Sequence, residues 1–265
     1  MLIAQISDPH VMPQGVLYQG LVDSNAMFAA AITHLKQLPQ RPDLVILSGD
    51  VVDGGTPAEY ALAREVLAAI EQPLLVIPGN HDEREAFRSC FADLGWLPQA
   101  GPINFVAGDY GPVRIIGLDV TIPGLHHGDM DDEAVAFLEA ALAPDPARPT
   151  VIMMHQPPFA SGMGFIDQYL CRRGHRLAEI VSRHPAVERI VCGHIHRSMQ
   201  LRFGGTLLCT APSTTTANNL HLGPEIEPAS SIEPPALLLH HWKPDTGLIT
   251  HLVPIGDFPG LLPFA

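Results

Sequence analysis

LLVIPGNHD, residues 74–82, joins an apolar run to a polar turn. The run has the composition of a strand that is buried on both faces. The turn carries Asn80, His81 and Asp82, whose side chains can bind cations or move protons. Similar turns follow four other apolar runs: Asp8-Pro9-His10 follows 2–6, Gly49-Asp50 follows 44–47, His155 follows 151–154, and Gly193-His194-Ile195-His196 follows 189–191. Because the ends of parallel strands meet at one edge of a sheet, the five segments predict one shared site.

The segments between these runs predict crossover helices. Asp23 is a plausible cap for a helix to about residue 38, and Thr56-Pro57-Ala58-Glu59 has the pattern of a capping box before a helix to about residue 70. Further helices are predicted near 83–90, 131–142 with Asp131 as the cap, and 174–183. Hairpins are predicted at 104–118, around Gly204-Gly205, and at 236–253. This alternation predicts an α/β fold with helices packed on the sheets.

Composition favours one domain and disfavours several classes of partner. The chain has 265 residues, 46% of them hydrophobic, which is enough for a single domain over residues 1–265. Four scattered cysteines do not make a disulfide framework. The formal net charge of −13 argues against binding of polymeric nucleic acid. We find no run of about 18 apolar residues and no signal-peptide pattern, so a cytoplasmic protein without a membrane segment is expected.

Residues 211–235 differ from the rest of the chain. They are rich in Pro, Ser, Thr and Asn and show no periodicity. Loops this long inside a compact domain are usually functional or disordered. The stretch is predicted to form a substrate wall, a subunit contact or a lid, with His221 as a candidate substrate contact. Together with the predicted hairpin it makes residues 211–265 a candidate cap or oligomerisation segment.

The polar turns supply the ligands of a site for two metal ions. The candidate ligands are Asp8, His10, Asp50, Asn80, His155, His194 and His196. A pair of cations needs a shared ligand, and the two oxygens of the Asp50 carboxylate suit that role. Mixed imidazole and carboxylate ligation favours Mn, Fe, Co or Zn over Ca or Mg. Each motif alone also fits a helix cap or a turn, and only the ordered set argues for a metal site.

This ordered set of motifs resembles the calcineurin-like metallophosphoesterase superfamily. Within it, residues 1–210 look most like the class III cyclic-nucleotide phosphodiesterases and the bacterial glycerophosphodiesterases. The resemblance implies a four-layer αββα sandwich, in which two mixed β-sheets are flanked by helices, and it implies a homo-oligomer. Gln156 stands where many relatives have a second histidine, and it is not an expected ligand.

The resemblance also assigns roles to the candidate residues. It implies that Asp8, His10, Asp50 and His196 hold one metal ion, and that Asp50, Asn80, His155 and His194 hold the other. His81 would lie outside the ligand shell and face the substrate. The implied catalytic residues are therefore Asp50, Asn80 and His81, and the candidate substrate contacts are Asn80, His81 and His221.

The expected activity is hydrolysis of a small phosphodiester by attack of a metal-bound hydroxide, with His81 serving the leaving oxygen. Glycerophosphodiesters, 3′,5′-cyclic nucleotides and 2′,3′-cyclic nucleotides all remain open. One alternative is a phosphomonoesterase or protein phosphatase, which would need basic residues beside the metals. Arg84 and Arg88 follow the third motif, but a helix face explains them equally well. The other alternative, a non-catalytic interaction module, predicts eroded ligands, and none is eroded here.

Histidines outside the motifs are interpreted as structural, apart from His221 and the adjacent pair His126 and His127. His126 and His127 are followed closely by Asp129, Asp131 and Asp132. This cluster fits either an accessory cation site or an ordinary solvated loop, and composition favours the loop. The structural histidines are His34, His175, His184, His240, His241 and His251.

Overall fold

The computed structural model describes residues 1–223, 227–258 and 260. The strands are β1 (Leu2–Ile6), β2 (Leu44–Ser48), β3 (Leu74–Ile77), β4 (Phe105–Ala107), β5 (Arg114–Gly117), β6 (Thr150–Met153), β7 (Val187–Cys192), β8 (Met199–Phe203), β9 (Thr206–Thr210), β10 (Ala217–Asn218), β11 (Ser230–Ser231), β12 (Ala236–Lys243) and β13 (Gly247–Pro254). The helices are α1 (Ser24–Lys36), α2 (Pro57–Leu67), α3 (Arg84–Phe91), α4 (Asp132–Leu142) and α5 (Gly174–Ser182). Short 3-10 turns cover Ala92–Leu94 and Ile166–Tyr169.

The helix starts follow the capping residues that the sequence predicts. The Asp23 side chain accepts a hydrogen bond from the backbone of Ala26 at the start of α1. Thr56 and Glu59 form the reciprocal capping box of α2, and Asp131 caps α4. These caps satisfy backbone N–H groups that a helix leaves without partners, so the short sequence signals determine where the helices begin. No helix in the described part of the chain combines the length and apolar character needed to cross a membrane.

Two mixed sheets form the centre of the molecule. The first has the strand order β13-β12-β1-β2-β3, and the second has the order β4-β5-β6-β7-β9-β8. β1, β2 and β3 are parallel, as are β5, β6, β7 and β9, whereas β4, β8, β12 and β13 run antiparallel to their neighbours. Parallel strands place their carboxyl ends on the same side, which is the geometry that the polar turns need.

The hydrophobic core lies in three layers. Ile46 of the first sheet and Val151 of the second belong to the cluster between the sheets. The outer face of the first sheet packs against α1, α2 and α3, where Phe28 and Phe87 are fully buried. The outer face of the second sheet packs against α4 and α5. The predicted four-layer αββα sandwich is therefore confirmed, and its near-continuous apolar strands are those expected of sheets covered on both faces.

The C-terminal hairpin is part of the first sheet. β12 pairs along β1, with Leu2 opposite His241 and Gln5 opposite Leu238. The preceding stretch contains the two-residue ladder of β10 and β11, and a bidentate ion pair joins Arg197 to Glu233 at 2.8 and 2.9 Å. The stretch exposes the apolar side chains Leu220, Leu222 and Ile232. Its role in subunit contacts stays a prediction, and residues 224–226 lie outside the described residues.

The packing of the hairpin in the first sheet can be tested with a matched pair of leucine-to-alanine substitutions. Leu238 is 2% exposed, and its partner across the β12–β13 ladder, Leu252, is 53% exposed. Leu238→Ala should lower the free energy of unfolding by about 2–4 kcal/mol, because it leaves a cavity between the layers. Leu252→Ala should stay within about 0.5 kcal/mol of the parent protein. Urea unfolding of both variants measures the difference, and equal effects would contradict this placement.

Candidate metal centre

The predicted ligands are held by an unusual backbone conformation. Seven described non-glycine residues have positive φ, and five of them are predicted ligands: Asp8 (51°), His10 (44°), Asp50 (48°), His194 (69°) and His196 (56°). This conformation costs roughly 1–2 kcal/mol for an L-residue. Strain of this kind concentrates at functional sites because the surrounding structure maintains it.

The strand ends bring six of the seven predicted ligands into two groups. The first group contains Asp8, His10, Asp50 and His196, and the second contains Asp50, His155 and His194. Within each group the potential ligand atoms lie within 4.8 Å of one another, and all of these residues are buried. Asp50 belongs to both groups, so it is placed to bridge two cations.

Hydrogen bonds from the imidazole rings direct their second nitrogens into the cluster. His155 Nδ1 lies 2.8 Å from the Ser48 carbonyl oxygen, and His196 Nδ1 lies 2.9 Å from the Thr216 carbonyl oxygen. A carbonyl oxygen can only accept, so both Nδ1 atoms must carry the proton. With Nδ1 engaged in this way, Nε2 is the ring nitrogen that faces the cluster, and it is the atom through which such a histidine ligates a metal.

Several buried polar atoms in the cluster have no hydrogen-bond partner in the part of the chain that the structure describes and could bind a cation. Three of the buried side-chain atoms without a hydrogen-bond partner among the described residues belong to predicted ligands: Asn80 Oδ1, His155 Nε2 and His194 Nε2. His155 Nε2 is 3.2 Å from an oxygen of Asp50, and the Nε2 atoms of His10 and His196 are 3.1 Å apart. Unpaired buried acceptors are costly, and a bound cation would satisfy them all at once. The donor set of the two groups therefore fits two cations, and Asn80 Oδ1 is a further neutral oxygen, which the family resemblance assigns to the second group.

Both buried carboxylates are ionised. Burial alone would raise the pKa of Asp50, but the imidazoles of His155 and His81 lower it well below its ordinary value. Asp8 behaves in the same way, with His196 as the main opposing influence. Ser7 Oγ donates to Asp8 at 2.5 Å. Ionised oxygens are the form that binds metal, so the site is preorganised for cations.

Close approach explains two of the motif glycines. A Cβ atom on Gly79 would lie 2.1 Å from Asp50 Oδ1, and one on Gly193 would lie 2.7 Å from Asp8 Oδ2. Any side chain at either position would displace a carboxylate of the cluster. The glycines therefore serve packing against the ligands.

Asp53 is a site residue that the motif analysis missed. Its Oδ1 lies 3.1 Å from Nδ1 of His10 and 3.2 Å from Nδ1 of His81. The Asp53 carbonyl oxygen also lies 2.9 Å from His81 Nδ1. One carboxylate thus orients both a predicted ligand and the predicted proton donor, leaving their Nε2 atoms free. The available signal was its spacing, three residues after Asp50.

The loop after β5 resolves the alternatives at His126 and His127. Asp129 pairs with Arg173, Asp131 caps α4, and Asp132 pairs with Arg176 at 2.7 Å. The acidic residues are thus engaged elsewhere, and the accessory cation cluster does not form among the described residues. His126 instead reaches the metal centre, where its Nδ1 lies 3.1 Å from Asn80 Nδ2.

An open cleft of about 390 Å³ lies over the cluster. Its described lining contains neither lysine nor arginine. Arg84 turns away to Asp119, at 3.1 Å, and Arg88 donates to backbone carbonyls. His81 lines the cleft, whereas His221 lies in an adjoining cavity of about 40 Å³. Tyr18 also lines the cleft and stacks on His10 at 4.5 Å, and no sequence signal indicated it.

Comparisons with known proteins match the chain to one family and to named enzymes. The model of the calcineurin-like phosphoesterase family matches residues 1–198. The chain is 34% identical over 265 residues to a probable glycerophosphodiester phosphodiesterase of Arcobacter nitrofigilis, with 100% of this chain and 97% of that protein covered. It is 29% identical over 214 residues to a 3′,5′-cyclic adenosine monophosphate phosphodiesterase of Escherichia coli, with 80% and 75% covered.

A solved structure supports the fold independently. A dimetal phosphatase from Danio rerio aligns with a TM-score of 0.63 over 97% of this chain and 99% of that chain. The two sequences are 13% identical, so this similarity concerns the architecture alone.

The orienting role of Asp53 predicts a loss of cation affinity. Asp53→Ala should weaken Mn²⁺ binding by about 10–100-fold, because His10 loses its hydrogen-bond partner. Calorimetric titration of Mn²⁺ into cation-stripped protein measures this affinity. Asp245→Ala, at an exposed turn, is the control and should bind as the parent does. An unchanged affinity in Asp53→Ala would show that His10 needs no such support.

Proposed function

The chain belongs to the calcineurin-like phosphoesterase family, and from this premise we propose that it is a metal-dependent hydrolase of small phosphodiesters. Its relatives carry both glycerophosphodiester and cyclic-nucleotide names, so these are the two substrate classes to consider. The match to the glycerophosphodiesterase extends over 265 residues, and the match to the cyclic-nucleotide enzyme over 214. Only small substrates are proposed, because the strongly acidic chain repels polyanions.

One observation carries the proposal: two ligand groups share Asp50 beneath a cleft whose described lining has no lysine or arginine. A shared carboxylate is the arrangement that holds two cations side by side. A phosphomonoester carries an extra negative charge, and enzymes for it benefit from additional basic groups. The lining therefore favours a diester over the alternative monoester or phosphoprotein substrate. A complete ligand set likewise disfavours a non-catalytic module.

The residues of the cluster would act mainly by position and charge. Asp8, His10, Asp50 and His196 are proposed to hold one cation, and Asp50, Asn80, His155 and His194 the other. Two cations, when bound, supply positive charge for the phosphoryl oxygens and make the attacking water more acidic. The strained turns and fixed imidazole tautomers keep the donors in place, so little reorganisation accompanies the reaction. Four of the seven ligands are imidazoles, which favours Mn, Fe, Co or Zn.

His81 is proposed to serve the leaving group. Burial alone would lower its pKa, but the carboxylates of Asp50 and Asp53 raise it to about 10. Asp53 occupies Nδ1, so Nε2 is available to the cleft. In the hydrolysis, the water oxygen forms a new bond to phosphorus as the bond to the leaving alcohol breaks. His81 gives a proton to the departing oxygen, and the proton lost by water passes to solvent.

The central test compares a diester with a monoester. We expect a higher kcat/KM for bis-(p-nitrophenyl) phosphate than for p-nitrophenyl phosphate, measured with the same metal. Chelation should abolish both activities, and Asp50→Ala should be inactive, because Asp50 is shared by both groups. Asp109→Ala, at an exposed turn, should match the parent. The opposite substrate order would reassign the protein as a monoesterase, and full activity after chelation would refute the metal mechanism.

The proposed acid role of His81 predicts a dependence on the leaving group. His81→Ala should keep its cations and lose roughly 10²–10⁴-fold in kcat on an alkyl diester, the range for a lost general acid. The loss should be smaller for a nitrophenyl diester, because nitrophenolate departs without protonation. Metal analysis and kinetics on both substrates test this, with His251→Ala on exposed β13 as the control. Equal losses on the two substrates would exclude the acid role.

A further inference from the structure

A row of ring side chains runs from the metal centre to the rim of the cleft. The centroid of His10 lies 4.8 Å from that of His81, and His81 lies 5.6 Å from His126. The row continues from His126 to Tyr169 at 5.4 Å and from Tyr169 to Phe165 at 5.6 Å. All five rings line the cleft. His10 and His81 belong to the proposed chemistry, but nothing in that chemistry requires the outer rings Tyr169 and Phe165.

The outer two rings are presented by a rigid segment. Asp167 accepts hydrogen bonds from the backbone N–H groups of Ser161 and Gly162, at 2.7 and 2.9 Å. Met163 and Ile166 anchor the segment by packing in a small buried cluster with Ile195. Phe165 is nevertheless 41% exposed. A large aromatic ring that is exposed to solvent, on a segment fixed by hydrogen bonds and packing, is an expected feature of a binding surface.

Two amide side chains line the same cleft. Gln19 is one of only two described non-glycine residues with positive φ outside the predicted ligands, at 53°. Strain at a residue in a cleft points to a functional constraint. Asn218 is fixed by a hydrogen bond of 3.1 Å from its Nδ2 to the Ile195 carbonyl oxygen. Amide side chains of Asn and Gln match the donor and acceptor pattern on the edge of a nucleobase.

We propose that Phe165 and Tyr169 form a stacking wall for a nucleobase, so that the preferred substrates are nucleoside phosphodiesters. This inference rests on the proposed function. With phosphorus held at the cations, a ribose would lie beside His126 in the cleft and direct the base toward the outer rings. Gln19 Oε1 accepts a hydrogen bond from Ser230 Oγ and Asn218 Nδ2 donates to Ile195, so Gln19 Nε2 and Asn218 Oδ1 are the atoms offered to the edge of the base. Enzymes that act on nucleotides commonly combine a stacked face with hydrogen bonds to an edge.

The alternatives of the same size fit the wall less well. Glycerol has no π-face, so it would leave Phe165 uncovered. A quaternary ammonium group binds aromatic faces, but it gains most from several converging rings and a nearby anion. The carboxylates in the described lining are Asp50 and Asp53, and both already contact histidines at the floor. A flat, uncharged base suits a single aromatic wall better.

The test measures specificity and binding in Phe165→Leu, which keeps an apolar side chain and removes the π-face. The substrates are 3′,5′-cyclic AMP, glycerophosphoethanolamine and glycerophosphocholine. The parent should prefer cyclic AMP over both glycerol diesters. In Phe165→Leu the ratio of kcat/KM for cyclic AMP to that for glycerophosphoethanolamine should fall about 5- to 20-fold, the scale of one lost base stack. The change should appear mainly in KM, and Phe165→Trp should restore the ratio.

A binding measurement separates recognition from catalysis. The Kd of 5′-AMP should rise by a similar factor in Phe165→Leu, while the Kd of inorganic phosphate and the cation content stay the same. Val106→Ala, an exposed apolar side chain on β4, is the control and should change none of these values. An unchanged Kd for 5′-AMP would overturn the inference.

The outcomes distinguish the failure of this inference from that of the proposed function. If the parent hydrolyses glycerol diesters but not cyclic AMP, the base wall is wrong and the phosphodiesterase stands. A selective loss on glycerophosphocholine would assign the wall to a quaternary ammonium group. An equal loss on all substrates would make Phe165 a structural residue. If no diester is hydrolysed, the proposed function itself fails. The Kd of 5′-AMP in the parent and in Phe165→Leu then still shows whether Phe165 contacts a base.

Discussion

The architecture of the site depends on two ionised carboxylates, Asp8 and Asp50, that lie buried within a few ångströms of each other. Like charges in a low-dielectric setting are unstable unless positive charge lies between or beside them. The surrounding imidazoles supply part of this stabilisation through hydrogen bonds and charge. The remaining positive charge would come from cations, which the Nε2 atoms and the carboxylate oxygens can bind together. The left-handed turns and the close-packed glycines then follow as the means of holding these groups at short range.

The two sheets divide the work of building the cluster. Asp8, His10, Asp50 and Asn80 follow strands of the first sheet, and His155, His194 and His196 follow strands of the second. Each proposed cation site combines residues from both sheets, so packing between the sheets is a condition for binding. The apolar layer between them, which includes Ile46 and Val151, therefore sets the distance between ligands that are far apart in the chain. A rigid interior of this kind holds donors more accurately than loops can.

The residues proposed to contact the organic part of a substrate come from other elements. Phe165 and Tyr169 of the proposed wall lie on the segment that connects β6 to α5, whereas the strand ends carry the proposed ligands. Connecting segments tolerate changes that strands buried on both faces do not. A separation of this kind lets the walls of a cleft vary while the ligands stay the same, and the named relatives fall in two substrate classes. Substrate preference is thus best sought on the walls of the cleft.

The sequence by itself determined most of the fold and the types of residue at the site. Apolar runs, capping residues and Gly-Gly turns act through local physics, so the strands, the helix starts at Asp23, Thr56 and Asp131, and the hairpins could be read directly. The seven proposed ligands could be named because each lies in a polar turn that follows an apolar run. The family resemblance implied that the ligands divide around Asp50, and the tertiary structure brings six of them together in two such groups. It also decided that Asp53 holds two histidines, that His126 reaches Asn80, and that Asp129, Asp131 and Asp132 serve ion pairs and a cap. These contacts join residues distant in the chain, and the packing of the two sheets, which no local pattern encodes, sets their distances.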